Sequence, residues 1–353
     1  MTSGEPSAGP VGIVVPTFNR RDYLALALES ARAQTHERLQ ILVVDNGSRD
    51  GTAELVAGVR DPRLRYLVNE TNLGMAGSIN RAMGLLSGDV AWCTVLADDD
   101  LLDRDFVRAA LARAARPGAA GSVVSGHRVF VDATGARLRD ALAPPAEEGA
   151  IDYLEARSRG RRETFLTGLL FARSAFEAVG GYPRFTTGLS SDDALLFALA
   201  LRDRVVAAPE AVALVRLHGD AESRTARDGL AKVRTVDEFG GYCRRAAETA
   251  GLSPVERRRL ERALGRYCRG LRSHWWQVAM RAAADGGAEA AGETAALVAL
   301  AASDPSSFSR LVRASAWLSR HAGIDLESSK WYRAGMRRLQ GLADTVRGLP
   351  RVR

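Results

Sequence analysis

The order of apolar and amphipathic segments predicts an α/β fold with a doubly wound, mostly parallel sheet and a helical C-terminal extension. Short apolar runs of strand length alternate with segments of helical period over the first hundred residues. Polar or acidic residues follow several of these runs directly. From about residue 220 the chain is rich in Ala and Arg, keeps a helical period and has few strand formers.

The first four strands and their connecting helices follow a βαβαβαβ order. The segment RDYLALALESARAQ has the period of an amphipathic helix, and NGSRDGT is a turn-forming cluster that opens the next helix. Alternation of this kind is typical of parallel sheets, because each crossover returns the chain to the same edge. The predicted strands are VGIVVP at 11–16, LQILVVD at 39–45, LRYLV at 64–68 and DVAWCTVLA at 89–97.

Beyond residue 128 the pattern is looser. TFLTGLLFARSAFEAVGGY predicts a strand and a short helix that ends at Gly180 and Gly181, and SSDDALLFALALRD predicts a helix capped by Ser or Asp. VVAAPEAVALVRLHGD predicts two short strands. We therefore expect three parts, which are a disordered tail at 1–10, an α/β domain at 11–220 and a basic helical region at 221–353.

Composition indicates a soluble globular protein, with 46% hydrophobic and 26% charged residues among 353. Apolar runs are far shorter than the roughly 20 residues that cross a bilayer. The first ten residues lack the basic and apolar parts of a secretory signal. Three cysteines without paired spacing argue against disulfides or a zinc site. We expect a cytoplasmic protein.

The net charge of +7 is concentrated in the helical region, where 22 Lys and Arg face 12 Asp and Glu over residues 231–353. Such a surface is either a solvated face or an attraction for anionic lipid, and no nucleic-acid partner is expected. Trp275 and Trp276 lie beside basic residues, which fits either burial or a membrane-interface helix. Docking at the inner face of the membrane, homodimer formation and packing against the core all stay open here.

Three adjacent carboxylates, Asp98, Asp99 and Asp100, directly follow the fourth predicted strand. One Asp suffices to cap a helix N-terminus, so three exceed that need. Mg²⁺ and Mn²⁺ take oxygen ligands and are often held by one or two carboxylates, with phosphate oxygens and water completing the shell. The run therefore predicts a site for a divalent metal and a diphosphate at the carboxyl edge of the sheet, where ligands bind in such folds.

Other polar residues have both structural and functional interpretations. Asp45 ends the second strand, either in an Asx turn or facing a ligand. Asn72 fits a helix cap, and Gly74 near a helix start lets backbone approach a ligand. Capping explains one of Asp192 and Asp193, and the other could take a proton from an attacking hydroxyl. His218 is either a structural hydrogen-bonding group or a metal ligand.

Five motifs in order, VVPTFNR, VVDNGSRDGT, NLGMAGSIN, LADDDLLD and SSDDALL, resemble those of the family 2 glycosyltransferases, which have the GT-A fold. The resemblance covers residues 11–218. It implies an inverting transferase that moves a sugar from a UDP-, dTDP- or GDP-linked donor to a carbohydrate or lipid-linked acceptor, with Mg²⁺ or Mn²⁺ as cofactor. It also implies a role in cell-envelope polysaccharide, glycolipid or secondary-metabolite glycosylation.

The resemblance implies roles for individual residues. Asp193 matches the catalytic base, with Asp192 as the alternative because Asp replaces the usual Glu there. The Asp-x-Asp motif falls on Asp98 to Asp100, and the family's Asp-Asp-Leu-Leu form falls on Asp99 and Asp100, so the register is open. The nucleotide-sugar contacts are Pro16, Thr17, Phe18, Asn19, Asp45, Asn72, Gly74, Asn80, Asp98 and Asp99; the acceptor-side residues are Thr167 and Gly168; the metal ligands are Asp100, Asp98 and His218.

Three other functions are compatible with a doubly wound sheet. A nucleotidyltransferase usually carries a Gly-rich basic loop after the first strand, and VVPTFNRRDY has no glycine. A dinucleotide-binding oxidoreductase needs a Gly-x-Gly-x-x-Gly turn at the same place, which the sequence lacks. A catalytically inactive nucleotide-sugar-binding protein of the same fold is disfavoured by the acids at the expected positions, and a measurement of activity separates it from an enzyme.

Overall fold

A computed structural model of the chain describes residues 9–116, 121–218, 229–285, 288–304, 306 and 308. The strands are β1 (Val11–Thr17), β2 (Leu39–Asp45), β3 (Leu64–Val68), β4 (Trp92–Val95), β5 (Leu101–Leu102), β6 (Val123–Val131), β7 (Arg137–Asp140), β8 (Glu147–Glu148), β9 (Leu169–Ala172) and β10 (Val205–Arg216). The helices are α1 (Arg21–Arg32), α2 (Thr52–Ala57), α3 (Gly74–Leu85), α4 (Phe106–Ala114), α5 (Ala150–Ser158), α6 (Arg173–Ala178), α7 (Ser191–Arg202), α8 (Gly229–Glu248), α9 (Pro254–Asp285) and α10 (Ala288–Ser303).

All of these strands belong to one sheet of order β3-β2-β1-β4-β9-β6-β10-β5, with β7 added to β6 and β8 to β10. β1 pairs in parallel with β2 and β4, β2 with β3, and β6 with β10. The strands β5, β7, β8 and β9 run against their neighbours. The mostly parallel α/β fold is therefore confirmed, and the four N-terminal strands fall where the apolar runs predicted them.

The prediction of two strands after residue 204 is wrong, because β10 is a single strand. Its register against β6 shifts between Ala208 and Val212, around Pro209 and Glu210. Proline lacks the N–H that a ladder needs, so the strand bulges there and then resumes its pairing. The bulge carries the end of β10 on toward the acidic run.

Helices cover both faces of the sheet. Successive side chains of β1 point to opposite faces and pack against different helices. Val14 packs among residues of α3, α7, α8 and α9, while Ile13 and Val15 pack among residues of α1 and α4. These side chains are fully buried, and each contributes about 1.5–3 kcal/mol of hydrophobic stabilisation. The result is a three-layer arrangement that fixes the carboxyl ends of the central strands.

The helical region from residue 229 shares the core of the α/β part. Phe239 and Cys243 of α8 and Leu264 of α9 lie in the same apolar cluster as the residues of α7. Trp275 and Trp276 are 5% and 0% exposed, so burial is confirmed and a membrane-interface role for these two side chains is wrong.

The predicted limits at residues 10 and 220 remain expectations, and most of the expected tail (1–8) and residues 309–353 lie outside the described residues. Within the described residues, every helix is too short or too polar to cross a bilayer.

Candidate active site

The carboxyl ends of β1, β2 and β4 form one rim. Thr17 is opposite Asp45 in the β1–β2 register, and Leu96 follows β4 and donates its backbone N–H to the Val14 carbonyl. The Thr17 hydroxyl donates to Asp98 Oδ2 at 2.8 Å, which joins the end of β1 to the acidic run. The predicted residues Pro16 and Thr17 are buried, whereas Phe18 is 44% exposed at the rim. An aromatic ring exposed at this edge can stack on a nucleotide base.

Asp45 is buried and holds the turn after β2. Its Oδ1 accepts hydrogen bonds from the Ser48 backbone N–H at 2.8 Å and the Ser48 hydroxyl at 2.6 Å, and its Oδ2 accepts from the Tyr66 hydroxyl at 2.5 Å. Asn19 joins the same turn, because its backbone N–H donates to Ser48 Oγ and its Oδ1 accepts from the Arg49 N–H, both at 2.8 Å. The Asx-turn interpretation of Asp45 describes these contacts, and its predicted contact with a nucleotide stays a prediction.

The three acids after β4 point in different directions. Asp99 Oδ2 lies 2.9 Å from His218 Nε2 and also accepts from Arg20. Asp100 turns inward, where its Oδ1 accepts the Arg216 backbone N–H at 2.8 Å. Asp98 accepts a hydrogen bond from the Thr17 hydroxyl, and its Oδ1 lies 3.5 Å from Arg20 Nη1. Asp99 is therefore the acid that lies beside His218. The predicted metal ligands are Asp98, Asp100 and His218, so the acid next to the histidine is not one of the predicted acids.

The acidic run carries more negative charge than its neighbours neutralise. Burial, and then repulsion from Asp99, raise the pKa of Asp98 to about 6. The same two causes, in the same order, raise the pKa of Asp100. The Arg216 guanidinium donates to backbone carbonyls, including that of Asp99 at 2.9 Å, so it holds the loop without pairing with a carboxylate. A cation beside this run would favour the ionised carboxylates.

The residues present fit a hard divalent ion in part. The buried Nδ1 of His218 has no hydrogen-bond partner within the part of the chain that the structure describes. Among those same residues, no three His, Cys, Asp or Glu side chains are grouped so as to hold an ion alone. Mg²⁺ and Mn²⁺ sites commonly use one or two carboxylates and take their other ligands from substrate phosphate and water. Asp99 and its neighbours fit that incomplete kind of site.

The segment before β9 joins the acidic run to the start of α7. Thr167 Oγ1 accepts the Ala97 backbone N–H at 3.1 Å, and the Leu166 backbone N–H donates to Asp192 Oδ2 at 3.1 Å. Arg128 fixes this segment by donating to the Thr167 carbonyl at 2.9 Å. Gly168 has φ +89°, and a Cβ there would lie 3.1 Å from Arg128 Nε, so close packing explains the glycine. Thr167 is 1% exposed, and the predicted acceptor role of both residues is untested.

Asp193 is enclosed by a buried polar cluster at the start of α7. Arg157 donates to Oδ1 at 2.6 Å and to Oδ2 at 2.9 Å, and the Tyr153 and Tyr267 hydroxyls each donate one more hydrogen bond. Burial opposes ionisation of Asp193, but the Arg157 charge and these hydrogen bonds outweigh it and lower its pKa. Such a carboxylate is a weak base with its lone pairs in use.

Asp192 is half-buried and has fewer partners. The Tyr182 hydroxyl donates to its Oδ1 at 2.5 Å, and the Leu166 N–H donates to its Oδ2. Burial is the main cause that raises the pKa of Asp192 to about 6, and repulsion from Asp193 adds to it. A partly exposed carboxylate with a pKa of about 6 suits a general base. Asp192 and Asp193 thus differ in exposure and pKa, and the catalytic role of each stays a prediction.

The remaining predicted residues lie around α3. Asn72 Oδ1 accepts the Gly74 backbone N–H at 2.8 Å, so it serves the helix start as the structural interpretation expects. Gly74 is exposed with φ +67°. Asn80 accepts the Tyr182 N–H and donates to the Tyr182 carbonyl, both at 2.8 Å, and so positions a partner of Asp192. The predicted nucleotide-sugar contacts of all three residues stay predictions.

Sequence analysis missed five side chains that hold the site. Arg20 follows the first motif directly, so its basic charge beside a strand end was a usable signal. Arg157, Arg216 and Tyr267 gave none, because their partners are far away in sequence; Tyr267 and Asp193 are separated by 74 residues. Tyr182 is ten residues from Asp192, but no local pattern indicates that its hydroxyl turns to that acid. The missed residues are Arg20, Arg157, Tyr182, Arg216 and Tyr267.

Comparison with known proteins gives a family and a fold. Residues 12–180 match the model of the glycosyl transferase family 2. The succinoglycan biosynthesis protein ExoO of Rhizobium meliloti is 35% identical over 128 residues, which are 36% of each chain. A GalNAc(5)-diNAcBac-PP-undecaprenol β-1,3-glucosyltransferase of Campylobacter jejuni is 35% identical over 95 residues, 26% of this chain and 30% of that protein. The chain thus spans about a third of the length of these curated relatives.

Solved structures share the fold at low identity. TarS of S. aureus superposes with a TM-score of 0.57 at 14% identity and covers 78% of this chain and 48% of its own. The mannosyltransferase PcManGT of Pyrobaculum calidifontis, in complex with GDP-Man and Mn²⁺, gives 0.51 at 21% identity and covers 87% and 82%. These neighbours confirm the GT-A fold. Residues 12–180 of the chain are thus similar to the glycosyl transferase family 2.

Proposed function

We propose that the chain is an inverting glycosyltransferase that moves a sugar from a nucleoside-diphosphate donor to an acceptor hydroxyl. The observation that carries this proposal is the under-compensated run of Asp98, Asp99 and Asp100 at the carboxyl edge of the sheet, joined by Thr167 and Leu166 to the accessible carboxylate of Asp192. The acidic run needs a cation, and one rigid segment connects it to the proposed base. This arrangement suits a displacement reaction.

The donor side has its nucleotide at the ends of β1 and β2. Phe18 borders the base, and the turn of Asn19 and Asp45 faces the ribose. Asp99 and His218 would hold Mg²⁺ or Mn²⁺, with Asp98 beside them, and the bound ion would neutralise charge on the departing diphosphate. This arrangement is supported by the buried His218 Nδ1, which has no hydrogen-bond partner among the described residues, and by a structural neighbour solved with GDP-Man and Mn²⁺.

The acceptor side has Asp192 as general base. It removes the proton from the acceptor hydroxyl while the hydroxyl oxygen attacks the anomeric carbon from the face opposite the leaving group. One displacement inverts that carbon. Asp193, matched to the base by sequence, keeps α7 in place through Arg157 and Tyr267.

A role in the synthesis of cell-envelope polysaccharide or glycolipid is supported by two relatives, one a succinoglycan biosynthesis protein and one a transferase that acts on an undecaprenol-linked glycan. The same two relatives support a carbohydrate or lipid-linked acceptor. Exposed arginines of α9, including Arg258, Arg262 and Arg269, suit contact with anionic lipid at the inner membrane face. Residues 309–353 add further basic charge to this region.

The experiment is a thermal-unfolding screen of the full chain with UDP-, dTDP- and GDP-sugars, each with and without Mn²⁺. One nucleotide class should raise the unfolding temperature, because a ligand at a hundred times its Kd stabilises the fold by about 2.7 kcal/mol. Mn²⁺ should enlarge that shift. Release of nucleoside diphosphate in the presence of acceptor then reports transfer.

The matched variants are Asp99→Asn and Asp103→Asn, two acids on either side of the short strand β5. Asp99→Asn should abolish the Mn²⁺-dependent part of the shift, while Asp103→Asn, on an exposed side chain, should keep it. Equal behaviour of all nucleotide sugars, with no effect of Mn²⁺ in either variant or in the natural chain, would falsify the proposal.

A further inference from the structure

A cavity of about 480 Å³ lies beside the candidate active site, between the loop after α6 and helix α8. It is separate from the nucleotide side, because its lining contains no residue of the acidic run or of the β1 and β2 ends. The lining residues that matter here are Tyr182, Arg184, Phe185, Glu238, Tyr242 and Arg245.

The cavity is continuous with the proposed base through one side chain. Tyr182 lines the cavity, and its hydroxyl donates to Asp192 Oδ1 at 2.5 Å. Its backbone is held by Asn80, and a Cβ on Gly181 would lie 2.5 Å from Asn80 Oδ1, so the loop is fixed against α3. The Tyr182 side chain therefore separates a molecule in this cavity from the Asp192 carboxylate that would accept the proton.

Two arginines line the cavity without a partner. Neither Arg184 nor Arg245 has a hydrogen bond or ion pair to any other residue that the structure describes, and both are exposed. Arg245 folds back over Gly241, where a Cβ would lie 3.1 Å from its Nη1. Glu238 is the acid among the lining residues, and its Oε2 already accepts the Thr186 N–H at 2.8 Å. The lining thus carries a net positive charge.

An aromatic pair completes the cavity. Phe185 and Tyr242 pack edge to face with ring centroids 5.9 Å apart. Binding sites for small polar molecules combine such apolar surface with a few directed polar groups. A guanidinium recognises carboxylate and phosphate through paired hydrogen bonds, which an uncharged hydroxyl does not match.

We propose that this cavity binds a negatively charged sugar residue of the acceptor, one that carries a carboxylate or a phosphate. The acid group pairs with Arg184 and Arg245, the ring lies against Phe185 and Tyr242, and Glu238 accepts a hydroxyl. The proposal rests on the proposed glycosyltransferase function and adds the charge of the acceptor to it. The cavity then sets specificity while Asp192 performs the proton transfer.

The test measures binding of simple probes to the full chain by saturation-transfer NMR in the absence of nucleotide sugar. The probes are glucuronate, glucose 6-phosphate and uncharged glucose; inorganic phosphate has no carbon-bound protons, so its binding is measured by its competition with glucose 6-phosphate. We expect at least one charged sugar to bind about tenfold more tightly than glucose, since a charge-assisted hydrogen bond contributes that much. Comparison of glucuronate with glucose 6-phosphate identifies the acid group.

Arg184→Ala and Arg245→Ala should each weaken binding of the charged sugar about tenfold, and the matched control Arg266→Ala, an exposed arginine of α9, should not. Equal binding of glucose and both charged sugars, inorganic phosphate binding as tightly as glucose 6-phosphate, unchanged binding in both cavity variants, or no binding of any probe would each overturn the proposal. Because no donor is present, these results are independent of the nucleotide-sugar screen.

Discussion

Two groups of adjacent acids lie on either side of the segment that precedes β9, and their surroundings in the fold differ. At the start of α7, Asp193 receives four hydrogen bonds from Arg157, Tyr153 and Tyr267, and its pKa is lowered. After β4, Asp98 keeps a pKa raised to about 6 because burial is not fully offset by Arg20. Protein side chains neutralise the charge of Asp193, whereas they neutralise the acidic run after β4 only in part.

This difference separates structural acids from acids that await a ligand. A buried carboxylate with a complete set of donors gains nothing from another cation, whereas one with a raised pKa is stabilised when a cation arrives. The same distinction divides Asp193 from Asp192, its neighbour in the chain. Adjacent acids in sequence therefore have different electrostatic surroundings.

The largest effect expected from this comparison is on turnover. Asp192→Asn should lower kcat about 10²- to 10⁴-fold, because it removes the general base, while the free energy of unfolding changes little. Asp193→Asn should chiefly lower stability, since it leaves Arg157 buried without its carboxylate. Nucleoside-diphosphate release and urea unfolding measure the two. An active Asp192→Asn protein beside a folded, inactive Asp193→Asn protein would reverse the assignment.

The next effect is on stability. Arg157→Ala should cost about 3–5 kcal/mol in urea unfolding, because Asp193 then lacks its buried counter-charge. The loss should shrink at acidic pH, where protonation neutralises the unpaired Asp193. Arg159→Ala serves as control, since it removes an exposed pair with Glu155 and should cost at most about 0.5 kcal/mol. Equal stability of the two variants at every pH would contradict the described role of the cluster.

The smallest effect is a pH dependence. Asp192 must be ionised to accept a proton, so kcat should rise with pH through about 6 and be roughly tenfold lower at about pH 5 than at about pH 8. Asp98 ionises in the same pH range. The measurement therefore uses a saturating concentration of donor, so that an effect of Asp98 on donor binding does not change kcat. A profile that is flat across that range would exclude Asp192 as the titrating base.

Sequence alone predicted the parts of the fold that depend on local pattern. The four N-terminal strands, the helix at α7 and the placement of the acids behind β4 all follow from periodicity over a few residues. The order of the motifs predicted the similarity to family 2 glycosyltransferases that residues 12–180 show. The bulged β10 was read as two strands, because Pro209 interrupts a pattern that the partner strand restores.

The direction of each acidic side chain could not be predicted, because it depends on distant partners. Nothing in the run of Asp98 to Asp100 indicates that Asp100 turns to the Arg216 backbone, 116 residues later. The enclosure of Asp193 likewise needs Arg157 and Tyr267, which come from two other helices. Local sequence places carboxylates at a rim, and tertiary packing decides which of them face a ligand.

The contact between Tyr267 and Asp193 has a consequence for synthesis of the protein. The ribosome adds about 5–20 residues per second, so the 74 residues between them take about 4–15 s to emerge. During that interval Asp193 lacks the Tyr267 hydroxyl, and the face of α5 that packs against α9 has no cover. Release of the chain before α9 would leave the Asp193 cluster incomplete, so translation through this helix is a condition for completing the hydrogen bonds of that buried carboxylate.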